Sequence, residues 1–509
     1  MTLKRKQRNL LLSAAAVSSG CGLAAELLLG TLASYLVGNQ ALAFGVAVGV
    51  FLAAMGIGSY LSQFVAPGEN RVEQHRQLLT SLAAVELAIA PLTALLPLGL
   101  FFLFVIDSSL WLGLFLVTLI LGTLAGLEVP ILTRIIEQEE GVKDAIAGVL
   151  ALDYLGALVG SLAFPVLLLP FLGLFPTAAV IGSFPAFMVF LLGRSFPELR
   201  GWAIRGLLVG ILLLAFAPLT IPISDRLENQ LYGAPVVARI QSPYQRIVLT
   251  RWGQDVRLFL NGDLQFSTLD EYRYHESLVH PAMAANGDPR NVLLLGAGDG
   301  MALREVLKWP QVENVTVLEL DPTVVKLAKN HPALLRANQN AFADPRVTVK
   351  YGDAFKIAPE LAETFDVIIA DFPDPDEEIL AKLYSQGYYR RLLFRLNPGG
   401  VFVTQASSPF FAPRAFASIV ATLESIDLSV HPYTVNVPSF GPWGFVMAAR
   451  SPLKPEQFQL PISTRFLTAE MLPGLFQLPA DIQLGNVEVN RLSHPVIVRY
   501  QSDWRWNTY

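Results

Sequence analysis

The sequence predicts an α-helical multi-span membrane domain followed by an α/β region, in which a small antiparallel β-sheet precedes a doubly wound parallel sheet. Three observations carry this reading. The first 222 residues hold seven apolar stretches, most as long as the ~20 residues needed to cross a bilayer core. Ordinary soluble sequence with short alternating runs and turn signals follows. From Val292 onward, buried strand-like runs alternate with helical stretches. The averages over 509 residues, 53% hydrophobic and 16% charged, conceal this division.

The apolar stretches run over 10–37, 41–65, 78–106, 110–132, 146–172, 177–192 and 206–221. A soluble core helix rarely stays apolar on all faces for so long. The last two are short and interrupted by Pro185 and Pro218, which leaves six or eight spans open. Lys4, Arg5, Lys6 and Arg8 precede the first stretch as in a signal peptide, and Ser19-Gly20-Cys21 resembles a lipoprotein cleavage site. The apolar run continues well past Cys21, so an uncleaved first span is expected. Cys21 is the only cysteine, which excludes an internal disulfide and a thiolate metal cluster. A net charge of −5 without a basic stripe excludes nucleic acid as a partner. Basic residues sit before the first span and in the loops with Arg71 and Arg76, Arg134 and Lys143, and Arg194 and Arg200. The positive-inside rule makes those loops cytoplasmic. Seven spans then put the second half outside the cytoplasm, whereas supply of a cytosolic substrate favours a cytoplasmic second half and an even count.

Composition changes after Pro222, and four regions are expected: 1–222 in the membrane, 235–280 as a small β-sheet, 281–450 as the α/β domain, and 451–509 as an extension of unknown role. Between 236 and 266, alternating runs are divided by Trp252-Gly253-Gln254-Asp255 and Asn261-Gly262-Asp263, which favour hairpins. Buried parallel strands are expected at 292–295, 315–318, 347–351, 367–370 and 401–405. In the extension, 487–491 and 495–499 read as strands.

Two segments carry chemistry. Phe365-Asp-Val-Ile-Ile-Ala-Asp371-Phe-Pro-Asp374 is an apolar strand running into two carboxylates, and strand ends of an open α/β sheet are where ligands bind. Upstream, Gly296-Ala-Gly298-Asp299-Gly300 follows a buried strand and opens a helix near Met301, a turn that lets a nucleoside approach the backbone. Such a turn also serves plain packing. Glu319, roughly 20 residues on at the next strand end, can accept both ribose hydroxyls. Asp353 after the third strand suits an adenine amino group or a helix N-cap. Asp299 inside the turn repels the carboxylate of adenosylmethionine and attracts an ammonium, which argues against an ordinary methyltransferase.

From about Tyr244 to Met447 the chain resembles the spermidine synthase family of polyamine aminopropyltransferases, in its membrane-anchored form with an N-terminal multi-span domain. The motifs are Pro243-Tyr244-Gln245, Asp270-Glu-Tyr-Arg-Tyr274-His275-Glu276, Gly296-Ala-Gly-Asp-Gly300, Glu319-Leu-Asp321, Gly352-Asp353 and Asp371-Phe-Pro-Asp374-Pro375. The resemblance implies a Rossmann-like, adenosylmethionine-methyltransferase-like fold. It further implies that Gln245, Gly296, Gly298, Glu319, Asp353 and Ala354 hold the nucleoside part of decarboxylated S-adenosylmethionine. Tyr274, His275, Asp299, Asp371, Asp374 and Gln265 then line the amine side. Asp371, helped by Tyr274, is the implied general base that deprotonates an amine acceptor, foremost putrescine, before it displaces methylthioadenosine. Decarboxylated S-adenosylmethionine is a co-substrate, and neither a tightly bound cofactor nor a metal is implied. The implied partners are a polyamine substrate and the lipid bilayer, with homo-oligomer formation open. The location is the cell membrane, multi-pass.

The chain departs from the family at Ala297, where Gly is usual. Asp376-Glu377-Glu378 replaces an Ile-Gly-Pro type of loop, and Phe440 stands where a second tyrosine hydroxyl is usual. Two other readings compete: a methyltransferase acting on an amine or lipid, and a polyamine transporter or sensor. The second draws on Glu26, Glu86, Glu128 and Asp153 within or near apolar spans, where charge is expensive; such acids also serve to bond helices together.

Overall fold

The computed structural model describes residues 5–37, 40–67, 70–106 and 109–501; Lys4 and residues 502–509 of the C-terminal extension lie outside them. The chain divides into two compact units, Met1–Gly233 and Ala234–Tyr509.

In the first unit, seven helices among the described residues are long and apolar enough to cross a membrane. They are Arg5–Val37, Gln40–Leu61, Arg71–Val105, Leu110–Glu140, Val142–Ala163, Leu174–Ser195 and Arg200–Leu231. The fifth continues through a π-helical turn, Phe164–Leu168, into Leu169–Leu172. The prolines expected to interrupt the last two stretches do not: Pro185 lies inside Leu174–Ser195, and Pro218 and Pro222 lie inside Arg200–Leu231. Neighbouring helices support the backbone around such prolines. Alanines 90, 94, 179, 186 and 217 pack together with Leu213, so these helices approach closely through small side chains. Glu26, Glu86 and Glu128 are buried, and Glu86 accepts a hydrogen bond from Ser18 Oγ. Asp153 is half-buried.

The second unit opens with four antiparallel strands: β1 Val236–Gln241, β2 Arg246–Trp252, β3 Asp255–Leu260 and β4 Asp263–Ser267. Asn261 and Gly262 both adopt positive φ between β3 and β4, the backbone an Asn-Gly hairpin turn uses. The larger sheet contains β5 Asn291–Gly296, β6 Asn314–Glu319, β7 Val347–Tyr351, β8 Phe365–Asp371, β9 Leu396–Gln405, β10 Ser429–Val437 and β11 Gly441–Ala449, in the order β10-β11-β9-β8-β5-β6-β7. Strands β5 to β9 are parallel, as their nearly continuous apolar runs predict. The five expected parallel strands are extended at one edge by two that were not expected, where β11 pairs antiparallel with both β9 and β10.

Alternate residues of β5 feed opposite layers. Val292 and Leu294 pack with Leu278, Ala282 and Met283 of the helix Glu271–Asn286. Leu293 and Leu295 pack in the layer that holds Tyr388 and, from the helix Pro413–Glu424, Phe416 and Ile419. The C-terminal extension contributes to both. Leu467, Leu472 and Leu475 join the first layer, and Val496, Ile497 and Tyr500 the second. Neither expected strand forms there: 487–491 makes only an isolated bridge, Arg491 to His494, and Val496–Gln501 is a helix.

Glu276, 1% exposed, ties the extension down. Its carboxylate accepts the backbone N–H groups of Arg465, Phe466 and Leu467 at 2.6, 2.8 and 2.9 Å. Hydrogen bonds to a charged group contribute more than neutral ones, and buried donors left unpaired are costly. A chain beginning at Ala234 is expected to fold alone and to unfold cooperatively in urea. Within it, Glu276→Ala is expected to cost about 3 kcal/mol, read from the denaturation midpoint.

Candidate active site

The chain runs β5-β6-β7 outward on one side of β5 and returns as β8 on the other, so the strand order reverses between β5 and β8. Gly296 and Asp371, the last residues of those strands, are register partners. Gly296 has a φ of +76°, and a Cβ there would lie 2.2 Å from the Asp371 carbonyl oxygen. The crevice at the reversal is therefore flanked by the glycine turn and the first acid.

Asp371 Oδ1 accepts a hydrogen bond from Tyr274 Oη at 2.7 Å. Tyr274 is held in an aromatic wall, with Phe445, Phe440 and Trp443 centroids at 5.2, 6.0 and 6.3 Å. Burial pushes the Asp371 carboxyl up to about 6, against the pull of the His275 charge. Asp374 likewise sits at about 6 because of burial. It is surrounded by neutral donors, with Ser407 Oγ at 2.8 Å, Gln501 Nε2 at 2.9 Å and Gln405 Nε2 at 3.2 Å.

At the end of β6, Glu319 is buried, and a Cβ at Gly298 would meet its Oε2 at 2.7 Å. A side chain at Gly298 would push this carboxylate from its place over the turn. Glu319 Oε1 accepts the Asp321 amide at 3.0 Å, yet burial raises the carboxyl to about 7. Asp299 Oδ1 accepts the Met301 amide at 2.8 Å at the start of the helix Met301–Leu307, and burial raises its carboxyl too. Ala297 occupies the left-handed region with φ of +59°, which costs a residue with a Cβ roughly 1–2 kcal/mol.

The remaining expected site residues have the following surroundings. His275 Nδ1 is 2.8 Å from Glu271 Oε2 and the residue is 2% exposed, so one ring nitrogen is engaged by Glu271. Burial disfavours its charge, but the hydrogen bond and charge of Glu271 outweigh this and raise it to about 9. Its influence on the site is that of a cation near Asp299 and Asp371. Asp353 caps the turn Ala354–Ile357 by accepting the Phe355 amide at 2.9 Å, and Lys382 Nζ lies 2.9 Å from its other oxygen. Ala354 is buried beside it. Gln245 Nε2 donates to Asp321 Oδ2 at 3.1 Å. Gln265, on β4, donates to its neighbour Asp263 O at 3.3 Å and bonds to neither acid. Asp263 is raised to about 6 by burial and by the charges of Asp376, Asp374 and Glu377.

Sequence reasoning missed Gln405, Ser407, Gln501, Lys382 and Trp443, none of which lies in a recognisable motif. It also left Glu271 without a role. That residue forms a bidentate pair with Arg304, at 2.8 and 2.9 Å, joining the helix that carries Tyr274 to the helix after the glycine turn.

Residues 271–459 match the spermine/spermidine synthase domain. The chain is 43% identical to polyamine aminopropyltransferase 2 of Ralstonia nicotianae, over 97% of this chain and 98% of that protein. It is 38% identical to the polyamine aminopropyltransferase of Leptospira interrogans, over 96% and 97%. Among solved structures, that of a spermidine synthase in complex with the transition-state analogue AdoDATO is 27% identical, covering 48% of this chain and 86% of that one with a TM-score of 0.45.

In the ligand-free protein, carboxyl NMR is expected to show Asp371 and Asp374 titrating near pH 6 and Glu319 near pH 7. His275→Gln removes a neighbouring cation and should move the Asp371 midpoint higher; an unchanged midpoint would show that the imidazolium does not act on it.

Proposed function

The chain belongs to the spermine/spermidine synthase family and is a polyamine aminopropyltransferase, and we propose that it transfers the propylamine group of decarboxylated S-adenosylmethionine to putrescine, forming spermidine and methylthioadenosine. The observation that carries this reading is the Tyr274–Asp371 hydrogen bond, 2.7 Å, at the strand end beside the glycine turn. It gives a carboxylate a fixed direction where acceptor and nucleoside would meet.

An aliphatic ammonium has a pKa of about 10.4, so the acceptor arrives protonated and cannot attack. In this reading Asp371 takes that proton. The freed nitrogen then attacks the propyl carbon bound to the sulfonium, forming C–N as C–S breaks, and methylthioadenosine leaves neutral. Glu319 receives the ribose hydroxyls, with Gly296, Gly298, Asp353, Ala354 and Gln245 around the rest of the nucleoside. Asp374 anchors the remote ammonium of the acceptor. Asp299 favours the decarboxylated co-substrate, since a carboxylate beside it would be repelled. Holding both reactants in one crevice supplies much of the remaining acceleration.

The seven apolar helices favour a multi-pass membrane protein. Supply of the co-substrate favours a cytoplasmic catalytic unit, whereas seven crossings with basic loops inside favour the opposite side. Protease added to intact cells decides between them: survival of the C-terminal unit means a cytoplasmic site and one helix that does not cross.

Asp371→Asn is expected to lower turnover by about 10²–10⁴-fold while methylthioadenosine affinity is kept. Near-normal turnover would remove Asp371 as the base. Glu319→Ala should instead weaken methylthioadenosine in calorimetry. Because the base must be ionised, kcat/KM is expected to fall as pH drops through about 6. Calorimetry with decarboxylated and ordinary S-adenosylmethionine tests the co-substrate, and tighter binding of the ordinary form would favour a methyltransferase.

A further inference from the structure

The amine end of the crevice receives a group from the last described turn of the chain. The helix Val496–Gln501 lies against the helix Pro413–Glu424, with Val496, Ile497 and Tyr500 buried in that layer. The Arg414 guanidinium stacks 4.0 Å over the Tyr500 ring, and Tyr500 Oη donates to Glu488 at 3.2 Å. These contacts deliver Gln501, whose Nε2 donates to Asp374 Oδ2 at 2.9 Å. Gln501 Oε1 lies 3.2 Å from Ser407 Oγ, and that hydroxyl lies 2.8 Å from Asp374 Oδ1. Ser407 adopts a φ of +59°, a costly conformation for a residue with a side chain. Its backbone N–H donates to Gln405 Oε1 at 2.8 Å, and Gln405 in turn lies against Asp374. Both Asp374 oxygens are thus engaged by neutral amides and a hydroxyl, donors that orient a carboxylate without cancelling its charge.

We propose that Gln501 is a positioning residue for the acceptor amine, its side-chain amide holding Asp374 as the anchor of the ammonium remote from the reacting nitrogen. This rests on the reading of Asp374 as that anchor. The C-terminal extension then belongs to the specificity pocket. A neutral amide suits the task. A lysine in its place would neutralise the anchor, and an aliphatic residue would leave one oxygen unheld. The titratable groups facing Asp374 are Asp376 on its own loop, Asp263 of the β3–β4 hairpin, Tyr274 of the helix Glu271–Asn286, and Tyr384. None is a cation, so the amide is among the few groups that favour the ionised anchor.

The test is steady-state kinetics of full-length protein with decarboxylated S-adenosylmethionine and putrescine, comparing unmodified enzyme, Gln501→Ala and Gln501→Lys. In Gln501→Ala the KM for the amine is expected to rise about 10-fold or more, because a hydrogen bond to a charged group is lost. The kcat at saturating amine and the affinity for methylthioadenosine should stay within about twofold, and the acid limb of kcat/KM should move to higher pH. Gln501→Lys should be worse than Gln501→Ala for the amine, since its ammonium competes for Asp374. A merely structural tail contact predicts the reverse order, because lysine would keep the tail attached, and that outcome overturns the proposal. So does an unchanged amine KM in an otherwise active Gln501→Ala enzyme, or a parallel loss of methylthioadenosine binding. Unmodified enzyme that transfers no aminopropyl group would overturn the functional reading itself, and this inference with it.

Discussion

The close approach of Gly296 to Asp371 is the constraint on which the site depends. Adjacent parallel strands bring the two residues into register, and the missing side chain at Gly296 lets the turn bend away with the Asp371 carbonyl in the space a Cβ would take. Everything chemical is hung from that junction. The turn continues into Gly298, over which Glu319 lies, and then into the helix Met301–Leu307. Arg304 of that helix grips Glu271, which begins the helix bearing Tyr274, and Tyr274 returns to Asp371. The loop of contacts closes on itself, so the orientation of the Asp371 carboxylate, the proposed base, is determined by packing several residues away.

That closed loop concentrates acids in a crevice with little to neutralise them. Asp263, Asp371 and Asp374 sit near 6 and Glu319 near 7, each raised first by burial. The folded protein therefore retains protons that the unfolded chain has released. Where the native state binds more protons, stability falls as pH rises, here from the ordinary carboxylate range to about 7. The buried acids oppose folding at neutral pH, and a cationic ligand would relieve that opposition. His275 works in the same direction from within, staying cationic up to about 9 because Glu271 holds it. A crevice with this excess of acids is suited to polycations and unsuited to anions.

Much of this was legible in local sequence because local backbone geometry dictates it. The apolar run 292–295 could only be a strand buried on both faces, and Asn261-Gly262 could only turn a hairpin tightly. Asp371 and Glu319 stand at strand ends and Asp353 just beyond one, positions that the local pattern marks. The failures share one cause, which is that long-range packing leaves no local trace. The antiparallel β11 lies between β9 and β10 although it follows both in sequence. Pro185 and Pro218 sit within continuous helices, against the local expectation of an interruption. The stretch 495–499 has the β-branched composition of a strand and forms a helix because it docks on Pro413–Glu424. The Glu271 contact of His275, one helical turn back, was likewise not read from the motif.

The two halves of the crevice differ in the same respect. The half around the glycine turn is made by strand ends and tight turns, so short motifs specify it and few residues can be exchanged without moving the backbone. The half around Asp374 is made by side chains converging from separated segments: Tyr274, Asp374, Gln405, Ser407, Phe440 and Gln501. A side chain there can change without disturbing the strands beneath it. The departures from the family's usual pattern at Asp376, Glu377 and Phe440 all fall in this half, around the anchor or against Tyr274. Replacing a tyrosine hydroxyl by Phe440 removes a hydrogen-bonding group, while Asp376 and Glu377 add negative charge beside Asp263 and Asp374. On the proposed reading, a pocket so altered would hold an amine less by directional hydrogen bonds than by field, which relaxes the demand on where an ammonium sits while keeping the demand that it be charged.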